Sequence, residues 1–371
     1  MTYSKHTKQL NRALHMACLP VLLMTVSGCA GIEYYSQIVS GPMRIVMGKQ
    51  PVNEVTTDES VDEGLRRRLT LALQARDFAI DTLSLPDNES YTTFYDTKRS
   101  FVTWNVVAAQ EFSFSPKRWC FPVAGCVSYR GYYAHEDATA YAKELDASGL
   151  DVAINGATAY STLGWFADPL LNTMLNRSDT GIVSLLIHEL AHQQLYVGDD
   201  STFNESFASF VEQAGLALWQ QQHGSTEQLA ELTIRRKRQE DFIALLRSTR
   251  NDLQVLFDSA ADETMMRQKK AERFTELRND YETLKRNWGG YRGYDAWFGR
   301  ELNNARLVSV ATYNDYIPAF QALFEQSNQD FPTFYAAAQE LADLPAAERT
   351  IKMRHLLDTG RLDVTDSSQS L

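Results

Sequence analysis

The chain has 371 residues, 44% of them hydrophobic, with 36 Lys and Arg against 47 Asp and Glu, a formal net charge of −11. That length and apolar content are ample for a large buried core. The acidic balance argues against a nucleic-acid partner, which a basic surface would serve.

Taken in chain order, Lys5, Lys8 and Arg12 precede an apolar run from Ala13 to Val26. The run is too short, and too interrupted by His15 and Pro20, to span a bilayer, so residues 1–28 read as an export signal. It ends in Val26-Ser-Gly-Cys29, which resembles the lipobox of bacterial lipoproteins. The resemblance implies lipidation of Cys29 and attachment to a membrane through that lipid. With Ala30 next, it implies a periplasm-facing envelope lipoprotein of the outer membrane. Removal of residues 1–28 takes the basic count from 36 to 33 against 47 acidic residues, a net of −14 over 343 residues. Such a surface discourages electrostatic docking on anionic lipid and suits a soluble body tethered by acyl chains.

Residues 30–58, with Gly41-Pro42 and Pro51, read as a loosely structured entry. Apolar spacing predicts a helix over about 60–83, and β-branched and aromatic content predicts strands over 91–95 and 101–114. Cys120 and Cys126 follow, with Pro122 and Gly125 between them. In an oxidising compartment they would close a small disulfide loop, and their spacing does not suit a metal knuckle. A helix is expected over about 137–147, then one strand or a hairpin over 151–162. The edge of such a strand can hold an extended peptide by backbone hydrogen bonds, and Gly156 permits close backbone approach; a plain core strand is the alternative.

Residues 188–192 read His-Glu-Leu-Ala-His inside an apolar helical stretch, 179–196. Residues four apart share a helix face, so His188 and His192 can close on one metal ion while Glu189 reaches the water it holds. Such a pentapeptide arises by accident in on the order of one chain per hundred of this length, so its surroundings matter. Asp179 or Thr180 caps the start, and Gly198 stands where a left-handed C-cap belongs. A short turn leads to a second helix over about 202–220, with Phe203, Phe207, Phe210, Val211, Ala214 and Leu218 at helical spacing. Two helices so joined should pack antiparallel. Asn204-Glu-Ser-Phe-Ala208 then offers Glu205 as third ligand. Asn-Glu-x-x-Ala after His-Glu-x-x-His resembles the gluzincin peptidases, whose third ligand is that glutamate. Only twelve residues separate His192 from Glu205, a shorter interval than in thermolysin-like members. Asp199, Asp200 and Glu212 are reserve ligands, and Glu212 is also placed to orient a ligating histidine.

From 225 to about 287 the sequence is charged and helix-rich, with amphipathic helices over 242–257 and 271–288. The run Arg235-Arg-Lys-Arg238 reads as a solvated face. Further helices are expected over 315–326 and 331–341, and residues 360–371 as a polar, frayed tail. No internal repeat is evident. The expected organisation is thus a leader (1–28), a catalytic region with a small sheet (29–224) and a helical region packing on it (225–371). The fold class is α+β, predominantly helical, around a zincin-like active-site helix.

The whole pattern resembles a bacterial family of zinc aminopeptidases, exported lipoproteins of gluzincin type. Its matching parts are Phe121 to Tyr132, Tyr160 to Pro169, His188 to Gln193, Phe203 to Ala208, Leu302-Asn-Asn-Ala-Arg306 and Thr312-Tyr313. The resemblance implies a peptidase acting on peptide or protein substrates. One Zn2+ would sit on His188, His192 and Glu205, with Glu189 as proton shuttle. Tyr160 and Tyr313 are candidate donors to the tetrahedral oxyanion. Asn303 and Asn304 are candidates for orienting substrate backbone, and Arg306 for meeting a carboxylate. A metal-dependent endopeptidase of envelope proteins, or a non-catalytic lipoprotein with a structural metal, are the competing readings.

Overall fold

The computed structural model describes residues 43–121, 125–159, 162 and 167–367, with backbone alone for 359–367. Cys29, the leader and Tyr160 lie outside the described residues. The chain divides into two units, 1–48 and 49–371. The elements below belong to the second.

The predicted entry segment holds a short strand β1 (Gln50–Pro51) and helix α1 (Val52–Thr57). Helix α2 (Glu63–Asp81) starts where the Asp62 carboxylate accepts the Leu65 N–H. Strands β2 (Thr93–Tyr95), β3 (Thr103–Gln110), β4 (Trp119–Phe121), β5 (Gly125–Val127) and β6 (Arg130–Tyr132) follow. Then come helix α3 (His135–Ala147), strand β7 (Leu150–Ala157), strand β8 (Leu170–Leu171) and helix α4 (Asn172–Leu175). The strands form three small sheets: β1-β2-β8, β6-β3-β7 and β4-β5. The longest pairing is antiparallel, from Thr103 opposite Ala157 to Gln110 opposite Leu150. The rest is helix: α5 (Asp179–Gln194), α6 (Ser201–His223), α7 (Thr226–Phe257), α8 (Glu263–Asn287), α9 (Asp295–Phe298), α10 (Asn304–Asn314), α11 (Ile317–Gln326), α12 (Phe331–Ala342) and α13 (Ala346–Ser367). This is the expected α+β class with helix predominating.

Segment 151–162 follows the plain-strand alternative and not the peptide-edge one. Its described part is one strand, and the edge facing away from β3 is covered: Asn303 Nδ2 donates to Val152 O at 2.9 Å, and Arg300 Nη1 reaches Ile154 O at 3.5 Å. That edge does not offer itself to a peptide. Gly156 has no Cβ because the Phe101 ring lies there, 2.5 Å from where one would stand. The two amphipathic stretches expected over 242–257 and 271–288 are parts of much longer helices, α7 and α8, since nothing in 225–241 breaks the first. The basic run on α7 is engaged locally: Arg235 pairs with Glu231, Lys237 with Asp241, and Arg238 lies over Tyr291. The expected frayed tail continues α13 to Ser367, with Gly360 the one helix breaker within it.

Two aromatic cores hold the helices. Phe203, Phe207 and Phe210 of α6 pack on Phe320 and Phe324 of α11 and Phe334 of α12. Phe242, Leu246 and Leu253 of α7 join Phe274, Leu277 and Tyr281 of α8 and Leu307 of α10. Helix α10 is seated on the β3–β7 sheet through Ala305 and Val308 against Val107, Ala109 and Ala153.

The start of α10 is bolted to that sheet. Asn303 caps the helix by accepting the Arg306 N–H. Asn304 is fully buried and its amide donates to the carbonyls of Gln110, Glu111 and Ser113. Its backbone N–H donates to Asp151 Oδ2, which also takes the buried Lys270 ammonium at 2.6 Å. Arg306 is buried over the Trp297 ring and donates to Trp297 O, and burial pushes its pKa down to about 10. Replacing Asn304 by Ala takes a donor from three carbonyls at and after the end of β3, of which Gln110 O keeps the Ser113 N–H and Glu111 O keeps Lys270 Nζ, so Asn304→Ala should lower stability by about 1–2 kcal/mol in chemical denaturation.

Candidate metal centre

Helix α5 begins one residue before its predicted caps: Ser178 Oγ accepts the Gly181 N–H, and Asp179 is held by Arg67 at 2.7 Å. Its apolar face, Ile182, Val183, Leu186, Ile187 and Leu190, is buried. The helix ends at Gln194, short of the expected 196, and the left-handed residue after it is Asp199 (φ 69°) in place of Gly198. Asn204 accounts for this. Its side chain accepts the Val197 N–H at 2.8 Å and donates to Val197 O at 2.7 Å, which holds the chain off the helix axis. Asp200 then caps α6 through the Phe203 N–H and is gripped by Arg349 at 2.9 Å.

The two helices pack antiparallel, as contacts run in opposite senses: Ser184 and His188 meet Glu212, and His192 meets Glu205. Gly215 permits the close approach, since a Cβ there would meet Leu83 Cδ1 at 2.5 Å and Ile187 at 3.3 Å. The rings of His188 and His192 stand 4.8 Å apart at 85°. Glu205 Oε2 lies 3.4 Å from His188 Nε2 and 3.5 Å from His192 Nε2. Ligands about 2.05 Å from a tetrahedral zinc are separated by about 3.3 Å, so these spacings match the edges of such a tetrahedron. They are long for hydrogen bonds, and Glu205 Oε2 is buried with no hydrogen-bond partner. These three side chains form the cluster with metal-ligand spacing among the described residues. An orphaned carboxylate oxygen facing two imidazole nitrogens fits a divalent cation.

His188 Nδ1 donates to Glu212 Oε2 at 2.9 Å, and the Ser184 hydroxyl donates to the other oxygen of Glu212. The bond turns Nε2 toward Glu205 and fixes the ring. Burial disfavours charge on His188, but Glu205 and Glu212 override it and hold its pKa well above the usual histidine range. Burial also opposes the Glu205 charge, and the imidazoles, His192 first, bring its pKa down to about 2. Glu189 is pushed up, chiefly by burial, with the charges of Glu205 and Asp168 adding and both histidines opposing. Tyr313 stacks on His188, ring centroids 6.3 Å apart at 24°. The charge of Glu205 keeps its hydroxyl protonated far above the ordinary tyrosine range, although the side chain as a whole is 42% exposed.

The structure thus brings together His188, Glu189, His192, Glu205, Glu212 and Tyr313. It places Asn303, Asn304 and Arg306 at the other end of α10. Ten residues of helix separate Asn303 from Tyr313, about 15 Å. Their polar groups bond scaffold backbone, so they hold the helix that carries Tyr313. Asp199 and Asp200 bond the turn and its neighbours and lie outside the metal-type cluster. Cys120 and Cys126 are disulfide-bonded.

Four groups were not foreseen. Asn204 and Ser184 had local signals, one beside Glu205 and the other a helical turn before His188. Asp168, buried and accepting the Thr162 N–H, and Tyr129, whose hydroxyl raises the pKa of Tyr313 from beyond the disulfide hairpin, lie in the matching parts Tyr160 to Pro169 and Phe121 to Tyr132, but no local pattern ties either to the site, because each reaches it from a separate segment.

A family model described as "Putative aminopeptidase" matches residues 33–353. No curated protein and no solved structure matches the chain.

Because Glu205 drops from an ordinary 4.5 to about 2 on folding, it stabilises the metal-free fold fully above pH 4.5. That contribution is lost as pH falls toward 2. Denaturation between those limits should show a steeper acid loss in metal-free wild type than in Glu205→Gln.

Proposed function

The chain belongs to the putative aminopeptidase family, and from that premise we propose that it is a zinc-dependent metallopeptidase hydrolysing peptide bonds at the His188–His192–Glu205 centre. One observation carries the reading: the Nε2 atoms of His188 and His192 stand 3.4 and 3.5 Å from Glu205 Oε2, a buried carboxylate oxygen with no hydrogen-bond partner. A Zn2+ ion there would supply Lewis acidity toward a water and a peptide carbonyl.

This chain's own residues perform the rest. Glu189 follows His188 on α5 and takes the proton of the attacking water, then delivers it to the leaving amine. Its raised pKa suits the first transfer, since a carboxylate of higher pKa is the stronger base, and the acid so formed is still much stronger than the ammonium it makes of the leaving amine. Tyr313 stays protonated and donates to the oxygen that gains charge in the tetrahedral state. Glu212 and Ser184 hold His188 in the tautomer and orientation that presents Nε2.

The leader and Val26-Ser-Gly-Cys29 support an envelope lipoprotein anchored through Cys29 and facing the periplasm. Among the described residues no helix is long and apolar enough to cross a membrane, which leaves the lipid as the proposed anchor. The proposed partners are peptide or protein substrates and the membrane, and no nucleic acid.

Elemental analysis should find one zinc per chain, and His192→Ala should lose it. Glu189→Gln should keep the metal and lose hydrolysis by about 10³-fold in a peptide-library assay; near-normal turnover in that variant refutes the mechanism. For an aminopeptidase, a dipeptide amide with a free amine should be cleaved and its N-acetylated form left intact. Equal cleavage of both assigns an endopeptidase.

A further inference from the structure

We infer that the disulfide-closed hairpin β4–β5 is a clamp that positions Glu205 through Asp199, and so sets the affinity of the three-ligand centre for a divalent cation. The inference rests on the metal-centre reading above.

His192 and Glu205 are joined by the turn 195–200. This turn is stiff: Asn204 closes on both backbone groups of Val197, and Asp200 caps α6 while Arg349 holds it from outside. A stiff turn moves as one body with the first turns of α6, so whatever fixes the turn fixes Glu205. The hairpin fixes it. Asp199 Oδ1 accepts the Cys126 N–H, and Asp199 O accepts from Arg118 Nη2 at 2.7 Å. Arg118 Nη2 also donates to Cys126 O at 3.0 Å, so both sides of the contact share one guanidinium. Gly125 sits so close that a Cβ on it would stand 2.7 Å from Asp199 Oδ1. Asp199 itself holds a left-handed backbone (φ 69°), a conformation that Asp adopts more readily than most L-residues.

The hairpin cannot hold this position through its own hydrogen bonds. Its strands are three residues each, and a lone two-stranded ribbon is marginal in water. Cys120 stands directly opposite Cys126, and their bond keeps the ribbon closed. The hairpin's far side is anchored where Trp119 Nε1 donates to the Tyr141 hydroxyl at 2.9 Å. The clamp therefore runs from α3 through the ribbon to the turn. Metal ligands tolerate only about 0.2 Å of displacement, so slack at Asp199 reaches the centre as lost affinity.

The test is zinc affinity by competition with a chromophoric chelator, together with amide hydrogen exchange over 197–206. It uses the full chain as oxidised wild type, phosphine-reduced wild type, Asp199→Ala and Asp199→Asn. In the reduction the S–S bond breaks, each sulfur takes one electron and one proton, and the phosphine takes the oxygen of a water as its oxide. Asp199 is solvent-accessible and its bonds are individually modest, so reduction and Asp199→Ala should each weaken zinc about fivefold and speed exchange in 201–206. Reducing Asp199→Ala should weaken it by less than the product of the two separate losses, because Arg118 still joins the ribbon to Asp199 O and both changes act on one path. Asp199→Asn keeps an oxygen for the Cys126 N–H and should stay within about twofold of wild type.

Affinities of reduced wild type and Asp199→Ala within about 1.5-fold of the oxidised protein overturn the inference, as do losses that multiply on combination. Should Asp199→Ala not fold, reduced wild type carries the same thresholds. Wild type that binds no zinc refutes the metal-centre reading itself, and the clamp with it.

Discussion

A carboxylate buried against two imidazoles, with one oxygen left unbonded, is the constraint around which this structure is built. Burying such a group without compensation costs several kcal/mol. Glu205 is tolerated because His188 and His192 lie 3.4 and 3.5 Å away and can carry the opposite charge. The compensation needs α5 and α6 in one fixed register, which Gly215 permits by its missing side chain and the phenylalanines of α6 enforce from behind. Metal-free, the charge is balanced by the proton that His188 keeps. With a divalent ion, the same three groups exchange that proton for the metal, so cation binding and proton release are one equilibrium.

Much of this centre is legible in the sequence because it is local. Four-residue spacing on a helix puts His188 and His192 on one face, and twelve intervening residues are enough for a turn and the start of α6. Glu212 was within reach of the same reasoning, being two turns after Glu205. What escaped is what arrives from elsewhere. Asp168 bears on Glu189 from the segment before β8, and Tyr129 bears on Tyr313 from beyond the hairpin. No periodicity connects such pairs, since sheet pairing and helix docking bring them together. Helix ends were misjudged for a related reason: α5 stops at Gln194 because a side chain seven residues after Val197 binds that residue's backbone.

Asn303, Asn304 and Arg306 show how a polar motif misleads. Side chains able to orient a substrate are equally able to saturate a buried backbone, and a sequence does not tell which. Here the three bond Val152 O, the β3-end carbonyls and Trp297 O, so the polar run is the foundation of α10. The same helix carries Tyr313 in its last turn. Its value to the site is mechanical: a rigid rod about 15 Å long, fixed to the sheet at one end, delivers a phenol at the other.

The helical region after residue 224 is therefore part of the centre as well as its support. Tyr313 reaches His188 from that region, and Ser206, next to Glu205, binds both ends of the α10–α11 junction through Thr312 O and the Tyr316 N–H. Residues 49–371 form one unit accordingly. A metal helix alone supplies ligands and a proton carrier. In the proposed mechanism the donor for developing negative charge comes from a separate element, because the α5 positions at the cluster are His188, Glu189 and His192. That division follows from helix geometry. One face presents about one residue per turn to a given point, so a centre needing ligands, base and oxyanion donor together has to recruit at least one further segment.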